Sequence, residues 1–253
     1  METATKLTGK VSLVSGASRR IGRSIALSLA AAGSSVVVNA SRSGSEAEQV
    51  VREIEDKGGQ AMAVIADVTD PAAVSSMIDK AVDRFGRLDI LVHNAAIRPD
   101  SRFETIDYAE WRKVVGVVLD GGFLLSRSCA PHLAASGEGT IVFIGGLAGY
   151  LGSDRIHVSA AKSGLQGLTR SLAKVLGPAN VTVNTIVLGH IEAEDDDPAH
   201  MARSRRLRPV ESVPLGRYGS PQDVANSVLS LCGPLMRYTT GQSIHLNGGF
   251  HFG

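Results

Sequence analysis

The sequence predicts an α/β protein built as a doubly wound parallel sheet. Three observations carry this expectation. Short β-rich runs alternate with helical stretches along the chain, which is the pattern of strands joined by crossover helices. Several runs, such as Val36-Val37-Val38 and Ile90-Leu91-Val92, are apolar at every position, as strands covered on both faces are. No linker or low-complexity stretch interrupts the alternation, so the expectation is one unit over residues 1–253.

The elements follow in order. Val11–Ser15 reads as the first strand. The helix Gly22–Ala32 carries Ile25, Leu27 and Leu29 and stops at Gly33, a C-terminal glycine signal. Ser35–Ala40 is the second strand, and Ser45–Lys57, polar on one face, is the helix that ends at Gly58-Gly59. After the strand Ala61–Ala66, Asp70-Pro71 supplies an N-cap and a first-turn proline for a helix over Asp70–Phe85. Asp89–His93, Thr140–Ile144, Val181–Val187 and Ser243–Leu246 complete the strands. Longer helices are expected over Phe103–Leu125 and Ser159–Leu176, and a last one over Pro221–Leu231. Ligands of such sheets sit at the carboxyl ends of the strands, where strand order reverses.

Composition narrows the function classes. Apolar residues make up 43% and charged residues 20%, ordinary for a globular protein and too apolar for disorder. The net charge of +1 removes the electrostatic case for general nucleic-acid binding. No apolar run approaches the ~18–20 residues of a membrane span, and the polar start, Met1 to Thr8, has no signal-peptide core. Cys129 and Cys232 lack metal-ligand spacing, so neither a metal site nor a disulfide framework is expected, and a reducing cytoplasm is the default.

Leu188–Leu215 breaks the alternation. It holds an acidic run from Glu192 to Asp197 and a basic run from Arg203 to Arg208. Loops of this length in a compact domain are usually functional. Two solvated runs that partly pair, or a mobile lid whose arginines meet an anionic substrate, are the two readings.

The first strand–helix junction reads Ser15-Gly16-Ala17-Ser18-Arg19-Arg20-Ile21-Gly22. Gly16 permits a tight turn, Gly22 lets the helix approach the sheet, and the helix N-terminus can receive a pyrophosphate. The second strand ends in Asn39-Ala40-Ser41-Arg42-Ser43, with no carboxylate to accept from a ribose 2′-hydroxyl. Ser41 and Arg42, with Arg19 or Arg20 behind them, suit a 2′-phosphate instead, so NADP(H) is the expected cofactor.

Ser15-Gly16-x-x-x-Arg20-x-Gly22 resembles the T-G-x-x-x-G-x-G loop of classical short-chain dehydrogenases/reductases. Asp67-Val68 resembles the family's adenine-contacting pair, and His93-Asn94-Ala95-Ala96 its N-N-A-G. The stretch Leu215–Ala225, Thr240-Gly241-Gln242 and Asn247-Gly248-Gly249 extend the resemblance over Leu7 to Gly249. It implies a Rossmann fold, a small-molecule substrate and a homotetramer, with 3-oxoacyl-(acyl-carrier-protein) reductases as the nearest subgroup. It also implies cofactor contacts from Ser15, Gly16, Ser18, Arg19, Arg20, Ile21, Gly22, Ser41, Arg42, Asp67, Val68, Asn94, Ala95, Lys162, Gly189 and Ile191.

The family's catalytic groups are a tyrosine acid, a lysine four residues later, a serine and an asparagine. Lys162 falls on the lysine, whereas Val158, Gly146 and Val118 fall on the tyrosine, serine and asparagine. Ala193 stands where a threonine often meets the nicotinamide carboxamide. The expectation is an apolar, enlarged space beside the nicotinamide, walled by Val118, Gly146 and Val158, with Lys162 holding ribose hydroxyls. His157 and His190 are the substitute-acid candidates, and Tyr150, Asp154 and Arg155 lie on the substrate-side loop. Trp111 reads as a packing residue. Three functions remain: an atypical NADPH-dependent reductase of a carbonyl or imine-like carbon, a non-catalytic NADP-binding sensor or supporting subunit, and a non-redox enzyme that uses the dinucleotide site as a mould.

Overall fold

The computed structural model describes residues 6–193, 201–202, 205–206 and 209–252. Seven strands form one sheet in which every pairing is parallel: β1 Val11–Ser15, β2 Ser35–Ala40, β3 Ala61–Ile65, β4 Ile90–His93, β5 Thr140–Ile144, β6 Thr182–Leu188 and β7 Ser243–Leu246. Their order across the sheet is β3-β2-β1-β4-β5-β6-β7. The direction of winding reverses between β1 and β4, and a crevice opens there at the carboxyl ends.

Helices cover both faces. On one lie α1 (Arg20–Ala31), α2 (Gly44–Glu55) and α8 (Pro221–Cys232), whose Ile25, Leu29, Val50 and Val228 pack with Val14, Val36 and Val92 of the sheet. On the other lie α3 (Pro71–Phe85), α5 (Gly121–Ala135) and α7 (Ile156–Leu176), whose Met77, Leu125 and Leu165 pack with Leu13, Leu91 and Phe143. Alternate residues of each strand thus enter opposite cores, which is why the central runs are apolar throughout. Local signals are realised where they were legible. Asp70 accepts from the backbone N–H of Ala72 and Ala73, with Pro71 in the first turn, and Ser220 and Asp223 form a reciprocal cap on α8.

The helix expected over Phe103–Leu125 is different. Phe103–Thr105 is a separate 3₁₀ turn, and the helix proper runs from Tyr108 to Ala135 in three pieces. These are α4 (Tyr108–Val115), a π-helical turn at Gly116–Asp120, and α5. Contrary to the run-length expectation, this 28-residue helix is long and apolar enough to cross a membrane. Half of its most apolar window is buried inside the protein, where α5 packs on the sheet, α3 and α7. A short helix, α6 (Ala148–Leu151), precedes α7, which begins three residues earlier than expected.

Within Leu188–Leu215, Leu188 still belongs to β6, Ile191 makes an isolated parallel bridge to Gly219, and Val210–Ser212 is a 3₁₀ turn. Glu192 takes both Nε and a terminal nitrogen of Arg205, each at 2.7 Å, so the acidic and basic runs do pair at this point. Glu194 to Asp197, with Arg203, Ser204, Leu207 and Arg208, lie outside the described residues.

Candidate active site

A cavity of about 740 Å³ runs along the carboxyl ends of the strands. Its first part is the β1–α1 turn. Gly16 has φ +63°, and a Cβ there would stand 2.9 Å from the Ala95 Cα. A Cβ on Gly22 would stand 2.1 Å from the Gly16 carbonyl oxygen, so both positions exclude any side chain. Arg20 adopts φ +50°, a left-handed conformation that glycine favours. The first turn of α1 carries no side-chain cap and no acidic residue, which leaves its N–H groups to the cavity.

Gly16, Ser18, Arg19, Arg20, Ile21, Gly22, Ser41, Arg42, Asp67, Val68, Asn94, Ala95, Lys162, Gly189 and Ile191 all line this one cavity, as the sequence reading grouped them. Asp67 accepts from the backbone N–H and hydroxyl of Thr69, which holds its carboxyl below the usual range, and the nearby Arg42 adds a smaller pull. Asn94 donates to the carbonyls of Ser15 and Gly16 and so braces the phosphate turn against β4.

Ser15 corrects the expectation. Its side chain is fully buried beneath the turn, where Oγ accepts from the backbone N–H of Asn94 and Ala95 and donates to His93 Nδ1 at 2.9 Å. It supports the β1–α1 loop from below and is not among the residues that line the cavity. His93 was not singled out as a functional residue; the signal was its place as the first residue of the N-N-A-G-like stretch.

Gly146 and Val158 line the far end of the cavity, as expected. A Cβ on Gly146 would meet nothing within 4 Å, so this glycine leaves open space. Val118 does not belong to this wall. It is fully buried against the α3, α5 and α7 core, and Val117 lines the cavity instead. The π-helical turn is the physical reason: it widens the helix at this point and offsets the residue facing inward.

The substitute-acid candidates part company. His157 is fully buried, its Nε2 lies 3.1 Å from Glu110 Oε1, and its Nδ1 accepts the Val158 N–H. It points to α4 and does not reach the cavity, because on a regular helix it stands ~100° from Val158. His190 lines the cavity, with Nε2 3.0 Å from Glu192 Oε1 and its ring 4.1 Å from that of Tyr218. Asp154 and Arg155 also line it, whereas Tyr150 packs on the rings of His245 and His251. Trp111 sits half-buried beside Phe103, Tyr108 and Ile156, a packing role.

Lys162 lies one turn after Val158 on the same face of α7. Its Nζ donates to the Ile144 carbonyl at 2.5 Å. Burial pushes its pKa down to about 7, and the Arg98 guanidinium adds to the effect. Cys129 and Cys232 are buried free thiols.

A doubly wound seven-stranded sheet with a glycine-cut phosphate turn at its switch point defines a Rossmann-fold dinucleotide-binding protein. The family described as enoyl-(acyl carrier protein) reductase matches residues 16–251. The chain is 40% identical over 246 residues to a 3-oxoacyl-(acyl-carrier-protein) reductase of Aquifex aeolicus (strain VF5), covering 96% of this chain and 98% of that one. It is 38% identical to a 3-oxoacyl-(acyl-carrier-protein) reductase of Synechocystis sp., covering 97% and 98% of the two chains. A crystal structure of a dehydrogenase/reductase from Sinorhizobium meliloti 1021 superposes with a TM-score of 0.91 at 36% identity, over 100% of this chain and 99% of that one. The chain belongs to the short-chain dehydrogenase/reductase family.

Proposed function

We propose that the protein is an NADP(H)-dependent oxidoreductase that transfers hydride to a carbonyl or imine-like carbon of a small molecule, and that it turns over ordinary ketones poorly. One observation carries this reading. A single cavity collects the phosphate turn, Ser41 and Arg42 without a carboxylate at the end of β2, Asp67-Val68 and Lys162. The residues fit the cofactor: Gly16 and Gly22 leave the space a backbone–pyrophosphate contact needs, the α1 N-terminus faces it, and Arg42 lines the same cavity, which supports a 2′-phosphate there. When bound, the reduced nicotinamide supplies hydride.

The relatives' names make a 3-oxoacyl thioester the first substrate to try. The poor turnover follows from Val158 and Gly146, which stand at the family's tyrosine and serine positions and can donate neither a proton nor a hydrogen bond. The same two residues favour a second reading, an NADP-binding sensor or supporting subunit without catalysis. We take the chain as one NADP-binding unit over residues 1–253, cytoplasmic and tetrameric. NADPH fluorescence titration, followed by NADPH oxidation with ketones, imines and an acetoacetyl thioester, tests the reading. Tight binding with oxidation by any of these supports the reductase; tight binding without turnover supports the second reading; no binding removes both.

A further inference from the structure

Lys162 is an unusual acid–base group in the wall of this cavity. At the carbonyl end Val158, Gly146 and Val117 present no polar side chain. Lys162 Nζ is held at the end of β5 by the carbonyl of Ile144, two residues before Gly146. Gly146 opens space in the cavity that Lys162 also lines, and Val158, one turn earlier on the lysine's helix face, carries no hydroxyl.

From this placement we propose that Lys162 is the proton donor of the site, giving an Nζ proton to the carbonyl oxygen of the substrate. The inference rests on the reductase reading above. The step balances: hydride forms the new C–H bond, the C=O π pair moves to oxygen, and oxygen takes H⁺ from the ammonium. An alcohol forms and Lys162 is left as a neutral amine, to be reprotonated from solvent.

The surroundings suit this role. An ordinary lysine ammonium, at ~10.4, is too weak an acid to donate well near neutrality. Here burial brings Lys162 to about 7, with Arg98 contributing. The other charged or titratable groups at this end, among the described residues, are Arg98 after β4, Lys113 on α4, Asp154 and Arg155 before α7, and His190 after β6. Arg155 is engaged by Asp100 at 3.2 Å, and His93, at the end of β4, is close enough to feel the lysine's charge. His190 is the competing donor, and the test separates the two.

The test uses three measurements on the full-length protein. The first is the Cε resonance of Lys162 in protein labelled with ¹³C at lysine Cε, titrated without substrate and assigned by its loss in Lys162→Arg. The second is kcat/KM for NADPH-dependent carbonyl reduction from pH 6 to 9, and the third is NADPH affinity by fluorescence. Expected are a Lys162 midpoint near 7 and a kcat/KM that falls tenfold per pH unit above it. Lys162→Arg keeps a cation that does not titrate in this range; assayed at saturating NADPH, set by its measured affinity, it should lose roughly 10²–10⁴-fold in kcat and lose the pH dependence. A midpoint near 10, a flat wild-type profile, or an Arg variant with the wild-type rate and profile overturns the assignment and leaves the reductase reading standing. Wild type that binds NADPH and reduces no carbonyl overturns both.

Discussion

His93 Nε2 donates to the backbone carbonyl of Val118 at 3.0 Å, tying the end of β4 to the π-helical turn. A carbonyl can only accept, so Nε2 carries the proton and Nδ1 accepts from the Ser15 hydroxyl. Ser15 in turn takes the N–H groups of Asn94 and Ala95. This buried chain links the phosphate turn, the cavity floor and the long helix, and every member is satisfied.

The first prediction concerns acid stability. Burial, first, pushes His93 down to about 4, with the Lys162 charge adding to it, while an unfolded histidine titrates near its ordinary 6.5. Below 6.5 the unfolded chain binds the proton and the folded one does not. The contribution is therefore fully present above pH ~6.5 and is lost as pH falls towards ~4, reaching roughly 3 kcal/mol. Urea midpoints at pH 7.5 and 4.5 should fall further for wild type than for His93→Gln; equal falls refute it.

The second concerns the cofactor. Charge-assisted contacts to a phosphate are worth about 1.5–3 kcal/mol, or roughly 10- to 100-fold. NADPH should bind tighter than NADH by that factor, and Arg42→Ala should weaken NADPH while leaving NADH nearly unchanged. Calorimetry showing equal affinities in wild type would sink the assignment.

A third concerns restored catalysis. Val158→Tyr places a phenol one turn before Lys162, and Gly146→Ser enters space that is open to a Cβ. The double variant should raise acetoacetyl-thioester reduction by roughly 10²–10⁴-fold, and by more than the product of the single effects, since such groups act as a unit and Gly146→Ser helps only where the phenol is present. A double variant no faster than wild type would show that the substrate pocket itself differs.

Val118→Asn, the change the family pattern suggests, should do the opposite of helping. Val118 is fully buried, so an amide there is desolvated among Val68, Leu125 and Phe143 at a cost of about 1–3 kcal/mol. Thermal melting should show a lower midpoint; an unchanged one would place the amide in a polar setting.

The fifth concerns assembly. Phe123 on α5 and Val175 on α7 are large apolar side chains left exposed. With the tetramer expected from the family, light scattering should give four chains per particle at micromolar concentration, and Phe123→Glu should shift it to smaller species. A wild-type monomer contradicts this.

By itself, the sequence determined the strands β1, β2, β5 and β7 to the residue, the parallel winding, and, of the sixteen residues expected to meet a cofactor, fifteen that line one cavity. These are legible because they rest on local chemistry: apolar runs, capping residues, and glycines where backbone must meet backbone. Only the tertiary structure decided which way individual side chains turn. Ser15 ends an otherwise ordinary strand but faces down to His93, and His157 adjoins the site in sequence yet faces Glu110. Val118 and Val117 exchange places because a π-helical turn breaks the 3.6-residue period, and nothing in Gly116-Val117-Val118-Leu119-Asp120 announces that turn. Its carbonyl partner comes from a histidine 25 residues away, brought there by the sheet. Orientation at such points is set by long-range packing and hydrogen-bond satisfaction, which become defined only when β4, the long helix and α7 meet.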